Sequence, residues 1–167
     1  MPKKANIDFH DIHEGLAIGM RLTENRYAVS VMKILVVHRQ KMVADQIKLV
    51  LHDNSPVVIH TDSGLDGLLT SRIESFDLII CGTDLPVITG FELVRSIRTN
   101  SVNKHVPVIF IAESVDAKTE HLGNALGVAG MMTPTDVDDR LAEIVQERVK
   151  PEADRNWNDI TLKSRLN

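Results

Sequence analysis

The sequence predicts an α/β domain between Lys33 and Val149, built on five parallel strands that are each followed by a helix. Two observations predict it. Short apolar runs continue without alternation, as expected for strands that are buried on both faces. Between them lie stretches in which apolar residues recur with helical spacing. Because crossovers between parallel strands are right-handed, this (βα)5 order predicts an open, doubly wound five-stranded sheet, whose sites lie at the carboxyl ends of the strands.

Each element has its own signal along the chain. The apolar runs predict strands at 33–37, 56–60, 76–81, 106–111 and 130–132. Apolar spacing such as that of Val43, Ile47 and Leu51 predicts a helix after each strand. These helices are expected near 43–51, 63–75, 89–99, 115–126 and 137–148. The pair Asp62-Ser63 and Ser114 are predicted N-caps, and Pro151 is predicted to end the last helix.

Two segments flank this domain, which is expected to span 32–149. In the N-terminal extension, 1–31, Leu16, Ile18, Met20 and Leu22 alternate with small or polar residues, as in a hairpin. The same segment also fits a helix, whose apolar face would hold Phe9, Ile12, His13, Leu16 and Met20. The C-terminal tail, 150–167, is polar around Trp157 and Ile160, which predicts a disordered or loosely docked segment, or else a peptide-like interaction motif.

Composition narrows the functional classes. The chain has 167 residues, of which 43% are hydrophobic and 25% charged, as in a packed globular protein. A net charge of −4 gives no overall attraction to nucleic acid or to an anionic membrane. No apolar run approaches membrane-spanning length, and a cytoplasmic protein is expected. Cys81, the only cysteine, lies in the most apolar strand and is predicted to be a core residue.

The predicted strand ends carry no recognisable catalytic group. The first strand is followed by His38 and Arg39, the third by Gly82 and the fourth by Ala112. None of these positions holds an activated nucleophile or an acid-base pair, so we do not expect an enzyme. The glycine-rich loop of a dinucleotide-binding site is also absent from the sequence after the first strand.

One stretch has a specific resemblance to a known family. The residues 77–86 (Asp-Leu-Ile-Ile-Cys-Gly-Thr-Asp-Leu-Pro), then Gly90-Phe91-Glu92-Leu93-Val94 and Ile97-Arg98, are similar to the middle of a response-regulator receiver domain. Met32–Val37, Val106–Ile109 and Gly127 extend the resemblance to about 32–149. It implies a flavodoxin-like receiver fold and a role in two-component signalling or a phosphorelay.

The resemblance also implies that this member is degenerate. Receivers bind Mg²⁺ through an acidic pair after the first strand and are phosphorylated on an aspartate at the end of the third strand. They also use a threonine or serine after the fourth strand and a lysine before a proline after the fifth. The corresponding residues here are His38 and Arg39 for the acidic pair, Gly82 for the aspartate, Ala112 for the hydroxyl residue and Thr133 for the lysine. We therefore expect neither a metal nor another cofactor.

Two functions remain open for such a pseudo-receiver. The first is a phosphorylation-independent interaction module that binds another signalling protein, a kinase or a regulator, or a second copy in a homodimer. Its face would be the fourth helix, fifth strand and fifth helix, with Lys118, His121, Asn124, Asp138, Arg140 and Glu143 as candidates. The second is a ligand sensor that uses the vacated pocket, for which the positive charge of Arg39 is the only argument.

Three weaker hypotheses concern one residue or a pair of residues. Asp84, two residues beyond Gly82, could be a displaced phosphoryl acceptor, although a solvated turn residue is the simpler interpretation. His38 could accept a phosphoryl group or act as a base, but a hydrogen-bonded rim residue is more common at a strand end. The spacing of His10 and His13 could put two imidazoles on one helical face, yet no second ligand pair accompanies them.

Overall fold

The structure, a computed structural model, describes residues 31–148. These residues form one parallel five-stranded sheet in the order β2-β1-β3-β4-β5, with helices on both faces. The predicted α/β fold class is confirmed. The elements are β1 (Lys33–Val37), α1 (Lys41–Val50), β2 (Val57–Thr61), α2 (Gly64–Ile73), β3 (Leu78–Gly82), α3 (Gly90–Thr99), β4 (Val108–Ile111), α4 (Ala117–Ala125), β5 (Gly130–Met132) and α5 (Val137–Arg148).

The register of the sheet places the strand ends at one edge. Val37 of β1 lies opposite Thr61 of β2 and Cys81 of β3, and Gly82 lies opposite Ile111 of β4. The loops that follow β1, β3, β4 and β5 therefore meet above this edge. None of the helices described between residues 31 and 148 is long and apolar enough to cross a membrane.

The core has a layer on each side of the sheet. Val43 and Ile47 of α1 and Leu141 and Val145 of α5 pack on Ile34 and its neighbours on one face. On the other face, α3 supplies fully buried side chains that pack against Leu35 and Phe110. These α3 residues are Leu93, Val94 and Ile97. The continuous apolar runs of β1, β3 and β4 are thus explained by burial on both faces.

Arg98 of α3 connects its helix to two loops at the opposite, amino-terminal edge of the sheet. Its Nε donates to the Leu126 carbonyl at 3.2 Å, and its guanidinium nitrogens donate to Val106 at 2.7 Å and Lys104 at 3.0 Å. A further bond, 3.3 Å long, reaches the carbonyl of Gly127. Arg98 thus supplies side-chain donors to the carbonyls of the loops that precede β4 and β5.

Several predicted boundaries differ from the structure. β3 includes Gly82, β2 begins at Val57 and β4 begins at Val108. Ser63 caps α2, since its hydroxyl accepts from the Asp66 backbone at 3.4 Å, but Ser114 does not cap α4. That N-cap is Asp116, whose carboxylate accepts from the Thr119 backbone at 2.8 Å. The predictions for the extension up to residue 30, for 149–167, for the end of α5 at Pro151 and for His10 and His13 lie outside the described residues.

Candidate functional site at the carboxyl edge of the sheet

A cavity of about 310 Å³ opens where the loops after β1, β3, β4 and β5 meet. It brings together all five residues that the sequence assigned to the vacated pocket, and Asp84 with them. The lining consists of His38, Arg39, Gln40, Gly82, Thr83, Asp84, Ile111, Ala112, Glu113, Thr133, Pro134 and Thr135. The convergence follows from the parallel sheet, because every tip of a parallel strand points to the same edge.

The imidazole of His38 lies over Gly82. His38 is buried, with 9% of its surface exposed, and its Nδ1 accepts from the Gln40 backbone N–H at 3.1 Å. A Cβ atom at Gly82 would lie 3.0 Å from Cδ2 of His38 and 3.3 Å from Cδ2 of Leu85. The ring therefore fills the space into which a side chain at position 82 would point.

Burial lowers the pKa of His38, the hydrogen bond with the Gln40 backbone offsets part of this, and His60 and Arg39 lower the pKa further by smaller amounts. The neutral imidazole is therefore favoured. The His38 carbonyl also accepts from Nε2 of His60 in β2, at 2.9 Å. His38 is thus bonded to its own loop and to the neighbouring strand.

Arg39 carries the only positive charge among the lining side chains, and carboxylates hold it. Its guanidinium donates to Asp84 at 2.6 Å and lies 3.6 Å from Glu113. The three side chains are 48%, 67% and 80% exposed, so each pair stabilises the fold by no more than about 1 kcal/mol. The main consequence of the two ion pairs is geometric, because through them Arg39 connects the loops after β1, β3 and β4.

Thr133 has a local structural role at the start of the turn after β5. Its backbone N–H and its hydroxyl both donate to Oδ2 of Asp136, at 3.0 Å and 2.7 Å. These bonds cap the short 3-10 helix Pro134–Asp136 and lower the pKa of Asp136. The hydroxyl of Thr133 is therefore already committed to its own turn.

Gly82 and Ala112 bring backbone, and no functional group, to the cavity. A Cβ atom at Gly90, the first residue of α3, would lie 2.1 Å from the carbonyl oxygen of Gly82. This contact brings the start of α3 directly onto the tip of β3. Ala112 donates its backbone N–H to the Met132 carbonyl at 3.0 Å, and its methyl group is buried.

The family follows from comparison with known proteins. Residues 34–146 match the model of the response regulator receiver domain, which is most of the chain. The chain belongs to this family. Receiver domains are the signalling modules of two-component response regulators, and response regulators interact with other signalling proteins.

Similar receivers occur in curated relatives and in solved structures. The cell cycle response regulators CtrA of Brucella ovis and of Brucella suis are 27% identical over 114 residues, which cover 68% of this chain and 48% of each relative. The chain thus spans about half the length of these relatives. The chemotaxis response regulator CheY4 of Vibrio cholerae is 24% identical, with a TM-score of 0.60 over 69% of this chain and 99% of that one. The phosphorylated cyanobacterial phytochrome response regulator RcpA is 18% identical, with a TM-score of 0.62 over 70% and 93%. These two structures show the same receiver fold.

The candidate interaction residues are all exposed, but one of them, Asp138, contacts α1. Lys118, His121 and Asn124 lie on α4, while Arg140 and Glu143 lie on α5. Asp138 accepts a hydrogen bond from Nε2 of Gln46 at 3.1 Å, so it belongs to the side of α5 that meets α1. Of the nine residues of α4 only Gly123 is buried, which leaves most of this helix available for contact.

Sequence reasoning missed six lining residues, of which Ile111 and Pro134 are apolar and four are polar. The polar ones are Gln40, Thr83, Glu113 and Thr135. Glu113 is the important one, because it is a second carboxylate beside Arg39. It directly follows Ala112, so inspection of one further residue after the fourth strand would have found it.

Cys81 is buried in β3, where the sequence predicted a core residue, and burial raises the pKa of its thiol.

Proposed function

We propose that this receiver domain acts by protein–protein interaction and is not phosphorylated. The observation that carries the proposal is the occupation of the pocket by its own side chains. Arg39 binds the carboxylate of Asp84, and the ring of His38 covers Gly82, where receivers carry the phosphorylated aspartate. The domain would serve a two-component-type pathway as a degenerate receiver.

The donor set of the pocket does not fit Mg²⁺. This ion needs several hard oxygen ligands, whereas the two carboxylates here, Asp84 and Glu113, already surround the guanidinium of Arg39. At about 4 Å and an effective dielectric of about 20, two unit charges repel by roughly 4 kcal/mol, and a divalent ion doubles this. Among residues 31–148 no group of three or more histidine, cysteine or acidic side chains could hold a metal.

The groups that phosphoryl transfer needs are replaced by groups that cannot perform it. Gly82 has no carboxylate to attack phosphorus, and Ala112 has no hydroxyl to bond an incoming phosphoryl oxygen. The hydroxyl of Thr133 donates to Asp136. Asp84 keeps a carboxylate at the pocket, but its Oδ2 is 2.6 Å from Arg39. Among residues 31–148 no group of side chains could hold a metal ion beside it.

The ligand-sensor hypothesis receives little support from the geometry. Its argument was the positive charge of Arg39, which would attract a small anion. With Asp84 and Glu113 beside that charge and with His38 favoured as neutral, the lining is not electropositive. An anion would have to displace two carboxylates from Arg39.

The domain would signal through its surface, which it presents in a single conformation. A domain without a metal or phosphoryl ligand has nothing that binds one of its states better than another, so its partner affinity does not depend on a chemical trigger. We assign the contact to the exposed side of α4, β5 and α5, around Lys118 and Arg140. Its partner would be another signalling protein, a kinase or a regulator, or a second copy of the chain, and the domain would not be an enzyme.

We expect charge reversal on this face to break the complex. The chain is immobilised and tested against a panel of the histidine kinases and response regulators of its source organism, and against itself. Lys118→Glu and Arg140→Glu should each weaken the strongest complex about tenfold or more, because the new carboxylates would repel the acidic groups of a partner that complements the two cations. Arg95→Glu on α3 is the matched control and should leave the affinity unchanged.

The same binding measurement is repeated with Mg²⁺, with EDTA and with beryllofluoride. Equal affinity in all three is expected. A complex that tolerates both reversals but is lost in Arg39→Ala would favour the ligand sensor. A complex that needs beryllofluoride would contradict the proposal.

A further inference from the structure

Helix α2 exposes most of its large apolar residues. Its buried residues are the small Gly64, Gly67 and Ser71. Three of its four large apolar residues point outward at i, i+4 and i+8: Leu65 is 41% exposed, Leu69 48% and Ile73 82%, whereas Leu68 packs on the core. A helix that packs on one side only normally buries its large apolar residues and exposes its polar ones. We call Leu65, Leu69 and Ile73 the outer stripe.

The small residues on the inner side of α2 have a packing cause. A Cβ atom at Gly64 would lie 2.2 Å from the Ile88 carbonyl oxygen, and one at Gly67 would lie 2.7 Å from Cγ2 of Val37. Close approach of α2 to β1 and to the loop after β3 therefore demands small residues there. It does not explain why three large apolar residues face away from the domain, since polar residues would serve the same inner packing.

The outer stripe lies beside the place where the chain enters the domain. Lys33, the first residue of β1, forms an ion pair with Glu74, which directly follows Ile73. The backbone N–H of Lys33 also donates to Asp77 at 2.8 Å. The residues that precede β1 therefore leave the sheet next to the C-terminal end of α2.

The preceding segment has the length and the composition to cover the stripe. α2 has ten residues and is about 15 Å long, so roughly five extended residues span it. Residues 1–30 are several times that number. Whether Leu16, Ile18, Met20 and Leu22 alternate along a strand or Phe9, Ile12, Leu16 and Met20 share a helical face, the segment offers an apolar side. Both hypotheses for its local structure thus provide a complementary surface.

We infer that part of residues 1–30 of the same chain packs on the outer stripe of α2. Burial of Leu65, Leu69 and Ile73 would remove a contiguous apolar surface from water. The contact involves α2, on the far side of the sheet order from β5, so it leaves the face around Lys118 and Arg140 free. This inference stands independently of whether the pocket is phosphorylated.

Photo-cross-linking of the full chain tests the contact. A benzophenone amino acid is placed at position 73, in an equal mixture of chains with natural nitrogen and chains labelled with ¹⁵N, and cross-linked peptides are identified by mass spectrometry. We expect position 73 to cross-link to a peptide within residues 1–30 of the same isotope. Position 42 is the control, because Met42 is 84% exposed and lies on α1, on the other face of the sheet. Cross-links that join a labelled to an unlabelled chain would assign the stripe to a second copy. The absence of any cross-link from position 73 to residues 1–30 would overturn the inference.

A substitution in the full chain gives an independent readout. Ile73 and Met42 have nearly equal exposed fractions, 82% and 84%, so their replacement by serine should cost equally little if both face water. If residues 1–30 cover Ile73, Ile73→Ser lowers Tm by several degrees more than Met42→Ser, roughly 3 °C or more. Equal melting temperatures of the two variants would contradict the packing.

Discussion

Gly82→Asp leaves the domain unable to accept a phosphoryl group and lowers its free energy of unfolding by about 1–3 kcal/mol, as overpacked sites do. The Cβ atom alone would lie 3.0 Å from His38 and 3.3 Å from Leu85, and the carboxylate would extend further into the space of the imidazole. No metal ligands, hydroxyl or lysine would assist the new aspartate. Urea unfolding measures the stability, and intact mass after treatment with acetyl phosphate and Mg²⁺ measures the phosphorylation.

A second variant identifies the cause of the instability. In Gly82→Asp combined with His38→Ala the ring is gone, so part of the lost stability should return, still without phosphorylation. A Gly82→Asp variant that is as stable as the natural chain and gains a phosphoryl group would contradict this account. It would show that an aspartate at position 82 can be phosphorylated without the metal ligands, the hydroxyl and the lysine.

Arg98→Met lowers the free energy of unfolding by about 3 kcal/mol. The methionine keeps the packing of the side chain but leaves the carbonyls of Leu126, Val106, Lys104 and Gly127 without their donor. A buried carbonyl that loses its partner costs about 1–3 kcal/mol, and those of Val106 and Leu126 are bonded at part-buried sites. Chemical denaturation of the two proteins measures the difference.

Two neighbouring variants show whether the guanidinium geometry is responsible. Arg98→Lys keeps the charge but cannot reach the carbonyls of both loops at once, so it should recover less than half of the loss. Arg95→Met lies one turn earlier on the exposed side of α3 and should change stability by no more than about 0.5 kcal/mol. An Arg98→Met variant as stable as Arg95→Met would exclude the proposed structural role.

The order of elements could be predicted because burial on both faces leaves a direct mark on the sequence. β1, β3 and β4 are continuous apolar runs, and each lies inside the predicted range or one residue beyond it. Boundaries depend on pairing that the sequence does not display. Gly82 has poor strand propensity, yet it extends β3 because it pairs with Ile111. Val106, apolar and β-branched, stays outside β4 because its N–H bonds to the Asn103 carbonyl in a turn.

The composition of the pocket could be predicted, but its electrostatics could not. Parallel strand ends meet at one edge, which is sufficient to bring His38, Gly82 and Ala112 together. The partners of Arg39 depend on how three separate loops fold over that edge. Arg39 alone suggested an anion site, and only the positions of Asp84 and Glu113 reveal that its charge is already balanced. For the same reason the contact of Asp138 with α1 was not foreseen.

The most direct test is the intact mass of the unaltered protein after incubation with acetyl phosphate and Mg²⁺. A receiver that retains its acidic pair and aspartate is treated in parallel to establish that the reagents are active. We expect the mass of this chain to stay unchanged, because Gly82 offers no acceptor and Arg39 excludes the metal. A hydroxylamine-sensitive gain of one phosphoryl group that maps to Asp84 and disappears in Asp84→Asn would contradict the proposed phosphorylation-independent function.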